Sequence, residues 1–295
     1  MKDKKLINTG DRLYKLFIYL VLGILAVLIL VPVVWVMVAS IKATPEHYGS
    51  PWALPTHIHW QNFVDAWTRA NMGGYMLHSV TITAMALAIL LVVALPASYC
   101  LARFKFVGQK FLNTCFMAGL FINVNYIVVP IYLMLSDGDK WLRNLLGSGF
   151  LLNNHFVVAV VYAATALPFT IYLLSSYFAT LPHDFEEAAY IDGASYSTTM
   201  LQVMFPMAKP SIVTVILFNF LSFWNEYIII KTLVTERDQW TLPAGLLNLM
   251  QAQQSAAEYG PMYAGLVLVM LPVLILYICV QKNLTKGMTV GGVKG

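Results

Sequence analysis

The sequence predicts an all-α membrane protein with six transmembrane helices. Hydrophobic residues make up 59% of the 295 residues and charged residues only 11%, and the mean hydropathy is +0.70. Soluble domains carry roughly 25% charged residues, so a chain this poor in charge cannot cover its own surface in water. Six apolar segments of about 20 to 25 residues are each long enough to cross ~30 Å of hydrocarbon at ~1.5 Å per residue.

Loops rich in proline, glycine, tryptophan or charge separate these segments. The first apolar stretch is too long for a signal-peptide core, so we interpret it as a retained helix that is kinked near Pro32. We place an N-terminal region at 1–15, a six-helix domain at 16–281 with spans at 16–39, 79–101, 111–135, 155–178, 211–230 and 262–281, and a tail at 282–295.

The distribution of basic residues predicts the orientation in the membrane. Six spans place both termini on one side, and 12 of the 18 Lys and Arg residues fall in the regions on that side. The side richer in basic residues faces the cytoplasm. We therefore expect cytoplasmic N and C termini, together with a cytoplasmic loop at 182–210. The basic residues form no patch, which argues against binding of nucleic acid.

The loop at 182–210 reads PHDFEEAAYIDGASYSTTMLQVMFPMAKP and predicts two short helices with a sharp bend between them. Asp184 is the expected N-cap of the first helix, with Glu187 three residues on in a capping-box spacing. Gly193 suits the left-handed residue that ends this helix. Ser195 is expected to cap the second helix.

The second helix is expected to run to about Met204, before Pro206 ends it. Beyond its local structure, the loop has a characteristic spacing: Glu187-Ala-Ala, three residues, Gly193, nine residues, Val203, Met204, then an aromatic residue and proline. This pattern resembles the EAA loop of permease subunits of ABC importers, above all those that take up carbohydrates.

The resemblance implies a type I ABC importer permease-like fold in which this loop is the coupling helix that seats in a groove of a separate ATPase. It assigns ATPase coupling to Glu186, Glu187, Ala188, Ala189, Asp192, Gly193, Ala194 and Pro206. The alternative interpretation of the loop is an ordinary capped amphipathic helix on the membrane surface.

The C-terminal tail carries a second resemblance, to the smaller permease subunit of maltose-type importers. There the tail enters the interface between the two ATPase subunits, which implies an interface role for Gly291, Gly292, Val293 and Lys294. A frayed chain end is the alternative.

The family resemblance also implies the partners: a second homologous permease forming a heterodimer, two ATPase subunits and an extracytoplasmic sugar-binding protein, in the plasma membrane of a prokaryote. The sequence has no Gly-x-x-x-x-Gly-Lys-Ser/Thr motif. We therefore expect this chain to bind no cofactor itself, with ATP and magnesium held by the partner ATPase subunits.

Polar and aromatic residues within the apolar segments are candidates for a sugar path, because amides and carboxylates bind sugar hydroxyls and aromatic rings stack on their CH faces. The candidates are Asn123, Asn125, Asn219, Trp224, Asn225, Glu226 and Tyr227. Glu226 lies toward the outer end of its segment, and a solvated interfacial glutamate is the alternative for it.

The sequence therefore predicts a non-catalytic permease subunit of an ATP-driven importer that moves a sugar, an oligosaccharide, into the cytoplasm. The main alternative is an ATP-independent secondary carrier or channel, but such carriers often have several ionisable groups near the midplane or internal repeats, and neither is evident. A membrane enzyme would need a catalytic cluster, which the sequence does not offer. We expect no metal site, although His57 and His59 have the spacing of a pair.

Overall fold

A computed structural model of the chain describes residues 9–256 and 259–290. The helices in chain order are α1 (Thr9–Ala39), α2 (Thr44–Gly49), α3 (Gln61–Thr68), α4 (Met72–Arg103), α5 (Gln109–Gly119), α6 (Val124–Leu146), α7 (His155–Thr180), α8 (Asp184–Ile191), α9 (Tyr196–Thr198), a π-helical turn (Thr199–Met204), α10 (Phe205–Met207), α11 (Lys209–Asn225), α12 (Ile228–Leu233), a 3-10 turn (Arg237–Gln239), α13 (Leu242–Ala256) and α14 (Tyr259–Val290). Within the described ranges the protein is all-helical, with no β-strand.

Four helices in the described part of the chain, α1, α4, α7 and α14, are long and apolar enough to cross a membrane. Two further spans arise if each bent pair of helices counts as one: α5 with α6, and the Tyr196–Met207 segment with α11. The number of candidate spans is therefore four to six, and the upper limit equals the number expected from the sequence.

The predicted segment 111–135 is not one straight helix. It covers most of α5 and the first half of α6, and the axes of these two helices are bent by 106°. The side chain of Asn123 accepts the backbone N–H of Asn125 and so caps the start of α6. A Cβ atom on Gly119, at the end of α5, would lie only 2.8 Å from Pro168 of α7. The bend thus combines a capped new helix with a close approach to α7.

The predicted segment 211–230 is also divided, because α11 ends at Asn225 and α12 begins at Ile228. The break is stabilised by Glu226, whose carboxylate accepts the backbone N–H groups of Ile228 and Ile229. These are amides of the first turn of α12, which have no partner within the helix.

The chain divides into two compact units, one holding the described residues of 1–70 and 249–268 and the other those of 71–248 and 269–290. The centre of the larger unit is the packed pair of α4 and α7, with α11 against both. Small side chains are buried along both helices, including Ala86 and Ala94 of α4 and Ala159 and Ala163 of α7. Small residues let helix backbones approach closely, as is typical of helix pairs in membranes.

The smaller unit contains α1 and the short helices α2 and α3. Glu46 on α2 accepts hydrogen bonds from the hydroxyl and the backbone N–H of Thr56, and these lower the pKa of the Glu46 carboxyl to about 2. Asn62 on α3 is buried and donates to the carbonyl oxygen of Ser40 at 2.9 Å. Side-chain hydrogen bonds therefore hold the irregular backbone between α1 and α3.

Candidate functional site

The loop between α7 and α11 forms the bent helical pair that the sequence predicts. Gly193 has a φ of 77°, the left-handed conformation expected of it. Its N–H donates to the carbonyl of Tyr190, and the N–H of Ala194 donates to the carbonyl of Ala189. These two bonds make a Schellman motif, which satisfies the last carbonyls of α8. The side chain of Ser195 accepts the N–H of Thr198, so the predicted cap of the second helix is confirmed.

The predicted N-cap of α8 is wrong. Asp184 is the first helical residue and His183 occupies the cap position, without a side-chain cap bond. The capping box with Glu187 does not form. The physical reason lies in Arg103, which binds the carbonyl oxygens of Leu181 and Pro182 and so fixes the backbone that enters the helix.

The predicted end of the second helix is also wrong. Helical backbone continues past Pro206 to Met207, through a π-helical turn over Thr199–Met204. Proline lies in the first turn of α10, where a missing N–H is tolerated. The wider π-turn precedes it, so the helix changes register rather than stopping.

Arg103 and Glu186 form a largely buried ion pair between the end of α4 and α8, the first helix of the loop. Nη2 of Arg103 lies 2.6 Å from Oε2 of Glu186, and Nε lies 3.0 and 2.9 Å from the two carboxylate oxygens. The hydroxyl of Tyr99, also on α4, donates to Oε1 of Glu186 at 2.7 Å. The side chain of Arg103 is only 2% exposed and that of Glu186 is 19% exposed. We call these three residues the Arg103 cluster.

The Arg103 cluster keeps Glu186 ionised. Burial by itself raises the pKa of the Glu186 carboxyl, but the hydrogen bonds from Arg103 and Tyr99 outweigh it and the pKa lies below its ordinary value. The ring of His183 lies 3.3 Å from the same carboxylate and adds a second cation when it is protonated. The charge of Glu186 is therefore directed into the protein rather than toward the surface.

The outer face of the loop carries large exposed apolar side chains. Ile191 is 84% exposed, and Tyr190 and Tyr196 are each 71% exposed. A cavity of about 430 Å³ lies beside them, between the end of α4 and the bend of the loop. Large apolar side chains grouped on a polar loop are typical of a protein–protein interface.

The residues that the resemblance assigns to ATPase coupling divide between the exposed outer face of the loop and the face that packs against the rest of the larger unit. Glu187, Ala188, Asp192, Gly193 and Pro206 are exposed, Glu186 and Ala194 are half-buried, and Ala189 is buried. Sequence reasoning missed Arg103 and Tyr99, although a lone arginine at the end of an apolar segment is a usable signal for a helix-end contact.

A second cavity, of about 260 Å³, lies where α6, α7 and the α11–α12 break meet. Three of the predicted path residues, Asn123, Asn125 and Glu226, line it together. The structure adds residues that sequence reasoning missed: Tyr162, Thr165 and Ser222. The hydroxyl of Tyr162 donates to Glu226 at 2.9 Å. The cavity thus combines amide, hydroxyl and carboxylate groups with aromatic walls.

The remaining predicted path residues lie elsewhere. Asn219 is buried and donates to the hydroxyl of Thr170 at 3.0 Å, and the indole of buried Trp224 donates to the carbonyl of Val269 at 3.1 Å. Asn225 is exposed and donates to the carbonyl of Leu221, and Tyr227 is 41% exposed. None of these four lines the 260 Å³ cavity. The predicted interface residues of the tail, Gly291 to Lys294, lie outside the described residues.

The helical fold, the bent loop with its exposed apolar side chains and the polar cavity are the features expected of a membrane permease, and the comparison with known families shows this class. The sequence profile of the binding-protein-dependent transport system inner membrane component family matches residues 94–290. The chain belongs to this family and is a carbohydrate-uptake permease of the ABC transporter class.

Individual relatives match over almost the whole chain. The diacetylchitobiose uptake system permease protein NgcG of Streptomyces coelicolor is 35% identical, over 96% of this chain and 90% of that protein. The trehalose/maltose transport system permease protein MalG of Thermococcus litoralis is 26% identical, over 94% and 97%. The fold is similar to that of a chain in the crystal structure of a bacterial ABC transporter that imports the acidic polysaccharide alginate, with a TM-score of 0.77, 23% identity, and 93% and 98% of the two chains covered.

Proposed function

We propose that this chain is a non-catalytic permease subunit of an ABC importer, and that the importer moves a sugar, namely an oligosaccharide, into the cytoplasm. A separate ATPase drives the transport through the loop at 182–210. The observation that carries the proposal is the group of exposed apolar side chains at Tyr190, Ile191 and Tyr196. Tyr190 and Ile191 lie on α8, which the Arg103 cluster attaches to α4, and Tyr196 begins α9. A partner seated on this face would act directly on a membrane-spanning helix.

The proposed assembly contains a second homologous permease, two ATPase subunits that hold ATP and magnesium, and an extracytoplasmic sugar-binding protein. The family description, an inner membrane component of a binding-protein-dependent system, supports the binding protein. Both termini and the loop at 182–210 are on the cytoplasmic side in this proposal, as the distribution of basic residues favours. The tail residues Gly291 to Lys294 contact the ATPase subunits, and their glycines allow close approach.

The proposed sugar path includes the cavity at Asn123, Asn125 and Glu226. Amide groups donate to and accept from hydroxyls, and the Tyr162 and Phe223 rings offer apolar walls for the CH faces of a sugar. The relatives named for diacetylchitobiose uptake and for trehalose/maltose transport support an oligosaccharide as the cargo. Asn219, Trp224, Asn225 and Tyr227 have structural or surface contacts instead, so we expect their substitution to affect uptake less.

A substitution at the bend of the loop tests the proposal. Gly193→Asp adds bulk and charge where the loop would meet an ATPase, and we expect the ATPase subunits to be lost on purification and sugar uptake to fall at least ~10-fold. Gly147→Asp is the matched control. Gly147 ends α6 with the same φ of 77° and, like Gly193, would place a Cβ with nothing within 4 Å. The backbone strain is therefore equal at the two positions.

We expect Gly147→Asp to retain both the ATPase subunits and most of the uptake. If Gly193→Asp also kept both, the loop would not be the seat of the ATPase. Uptake by the wild-type chain in membranes that contain no ATPase subunit would instead favour a secondary carrier.

A further inference from the structure

Arg103 joins three helical elements at one point of the larger unit. It is the last residue of α4, and its guanidinium binds Glu186 of α8 through both Nε and Nη2. The same group donates to carbonyl oxygens at the end of α7: Nη1 to Leu181 at 2.9 Å and to Phe178 at 3.4 Å. Nη2 also donates to Pro182, in the turn that leads from α7 into α8, at 3.3 Å.

The chemistry of these contacts requires arginine. The guanidinium carries five N–H donors in a rigid planar fork, whereas lysine offers a single ammonium group. The last carbonyl groups of a helix lack the i+4 N–H partner of the helix interior, and a cation there also complements the helix dipole. At the end of α7 the Phe178 carbonyl accepts the N–H of Leu181 as well as Arg103. The side chain is 2% exposed, so water cannot replace these bonds without opening the packing.

We propose that Arg103 is a positioning residue that holds the coupling helix α8 to α4 and to the end of α7, so that a displacement of α8 moves these two spans together. α4 and α7 are packed along their length, which lets them move as a pair. The identity of the partner that displaces α8 rests on the proposed function. The attachment of α8 itself does not, because every contact lies within this chain.

The first test measures the attachment by amide hydrogen exchange in the full-length chain. In Arg103→Gln we expect the amides of 184–191 to exchange at least ~10-fold faster, with those of α6 unchanged. Lys105→Gln is the matched control: it removes the same charge two residues further on, from an exposed side chain, and should leave α8 unchanged. Unchanged exchange of α8 in Arg103→Gln would overturn the proposal.

A second variant keeps this test valid if Arg103→Gln fails to fold. Glu186→Gln removes the ion pair but leaves Arg103 bound to the carbonyls of α7, so we expect faster exchange that is confined to α8. Unchanged exchange in this variant would show that the ion pair does not hold the helix, and would equally overturn the proposal.

The second test measures transmission in the assembled transporter as sugar moved per ATP hydrolysed. We expect this ratio to fall about 10-fold in Glu186→Gln and Arg103→Gln at equal amounts of assembled protein. A purely structural role would lower the amount assembled and leave the ratio unchanged, and that result would overturn the proposal.

A double variant that exchanges the two charges, Arg103→Glu with Glu186→Arg, tests whether Arg103 acts only through its ion pair with Glu186 or also through its bonds to the end of α7. A carboxylate at position 103 would face the carbonyl oxygens of Phe178, Leu181 and Pro182, so we expect the ratio to stay low. Full recovery would overturn the role of α7. If the wild-type chain assembles with no ATPase, the proposed function fails while the hydrogen-exchange result still decides whether Arg103 holds α8.

Discussion

Two glutamates in the larger unit each accept a hydrogen bond from a buried tyrosine, yet their charges are balanced in different ways. Glu186 of α8 pairs with Tyr99 and with the guanidinium of Arg103. Glu226, at the α11–α12 break, pairs with Tyr162 and with the first backbone amides of α12. The first carboxylate is neutralised by a full opposite charge, the second by amide dipoles.

The sequence separations show what each arrangement does. Arg103 and Tyr99 lie 83 and 87 residues from Glu186, so their bonds join distant elements. The amide partners of Glu226 are only 2 and 3 residues away and shape the local break, next to the cavity. We therefore expect substitutions at the first glutamate to loosen α8 and those at the second to change the cavity.

The largest expected effect is the loss of stability in Arg103→Ala. Removing Arg103 leaves the Glu186 carboxylate without its cation, and since that carboxylate is 19% exposed we expect a cost of about 3 kcal/mol, at the lower end for a buried pair. Glu226→Ala leaves neutral amides and a hydroxyl unpaired, for about 1–3 kcal/mol. Denaturant titration in detergent micelles measures both, and a smaller loss for Arg103→Ala than for Glu226→Ala would contradict the comparison.

The next largest expected effect is a loss of sugar uptake without a loss of ATPase binding, in a variant of Glu226. Glu226→Gln removes the one carboxylate among the described residues that line the 260 Å³ cavity, while keeping the size of the side chain. We expect sugar uptake to fall about 5- to 10-fold, on the scale of ~1 kcal/mol for one lost polar contact. Co-purification of ATPase subunits should remain at the wild-type level. Loss of the ATPase in this variant would mean that the two regions are not functionally distinct.

A smaller difference is expected between the two tyrosines. Tyr162→Phe and Tyr99→Phe each delete one hydroxyl, and each costs about 0.5–1.5 kcal/mol. The loss should be greater for Tyr162, because no cation in the described part of the chain pairs with Glu226, whereas Arg103 still binds Glu186 after the Tyr99 hydroxyl is gone. Thermal unfolding of the two variants side by side measures the difference, and the reverse order would break the comparison.

The smallest expected effect is a pH dependence of the amide hydrogen exchange of α8. The pKa of Glu186 is lowered in the folded chain, so its stabilising contribution is complete above the ordinary glutamate pKa of about 4.3 and is lost as the pH falls through the lower folded value. Hydrogen exchange of 184–191, corrected for the intrinsic rate, should therefore accelerate only below that range.

His183, Arg103 and Tyr99 are the titratable or charged groups that face this carboxylate. The pH measurement is therefore made in a His183→Gln background, which removes the imidazole. Adding Glu186→Gln should abolish the acid dependence, and its persistence would assign the effect to another group.

The local structure of the loop at 182–210 was predictable because its determinants are neighbours in sequence. The left-handed Gly193 and the Ser195 cap both follow from residue types at short, fixed spacings. The start of α8 was not predictable, because Arg103 is 83 residues away and overrides the local capping preference of Asp184.

The residues that line the 260 Å³ cavity were also only partly predictable from the sequence. Asn123, Asn125 and Glu226 were recognisable as polar residues in apolar segments, but their meeting depends on the 106° bend between α5 and α6. Asn219 carried the same sequence signal and instead satisfies a buried hydrogen bond with Thr170. A sequence shows which polar groups enter the membrane domain, and only the fold shows which of them face a cavity.

Site-specific photo-crosslinking from Ile191 tests the central claim most directly. This residue is 84% exposed on the loop, and Leu54, 78% exposed in the segment between α2 and α3, is the matched control. In native membranes we expect position 191 to crosslink to a protein whose peptides contain a Gly-x-x-x-x-Gly-Lys-Ser/Thr nucleotide-binding sequence, and position 54 not to do so. Crosslinks from position 191 to lipid alone would contradict the account.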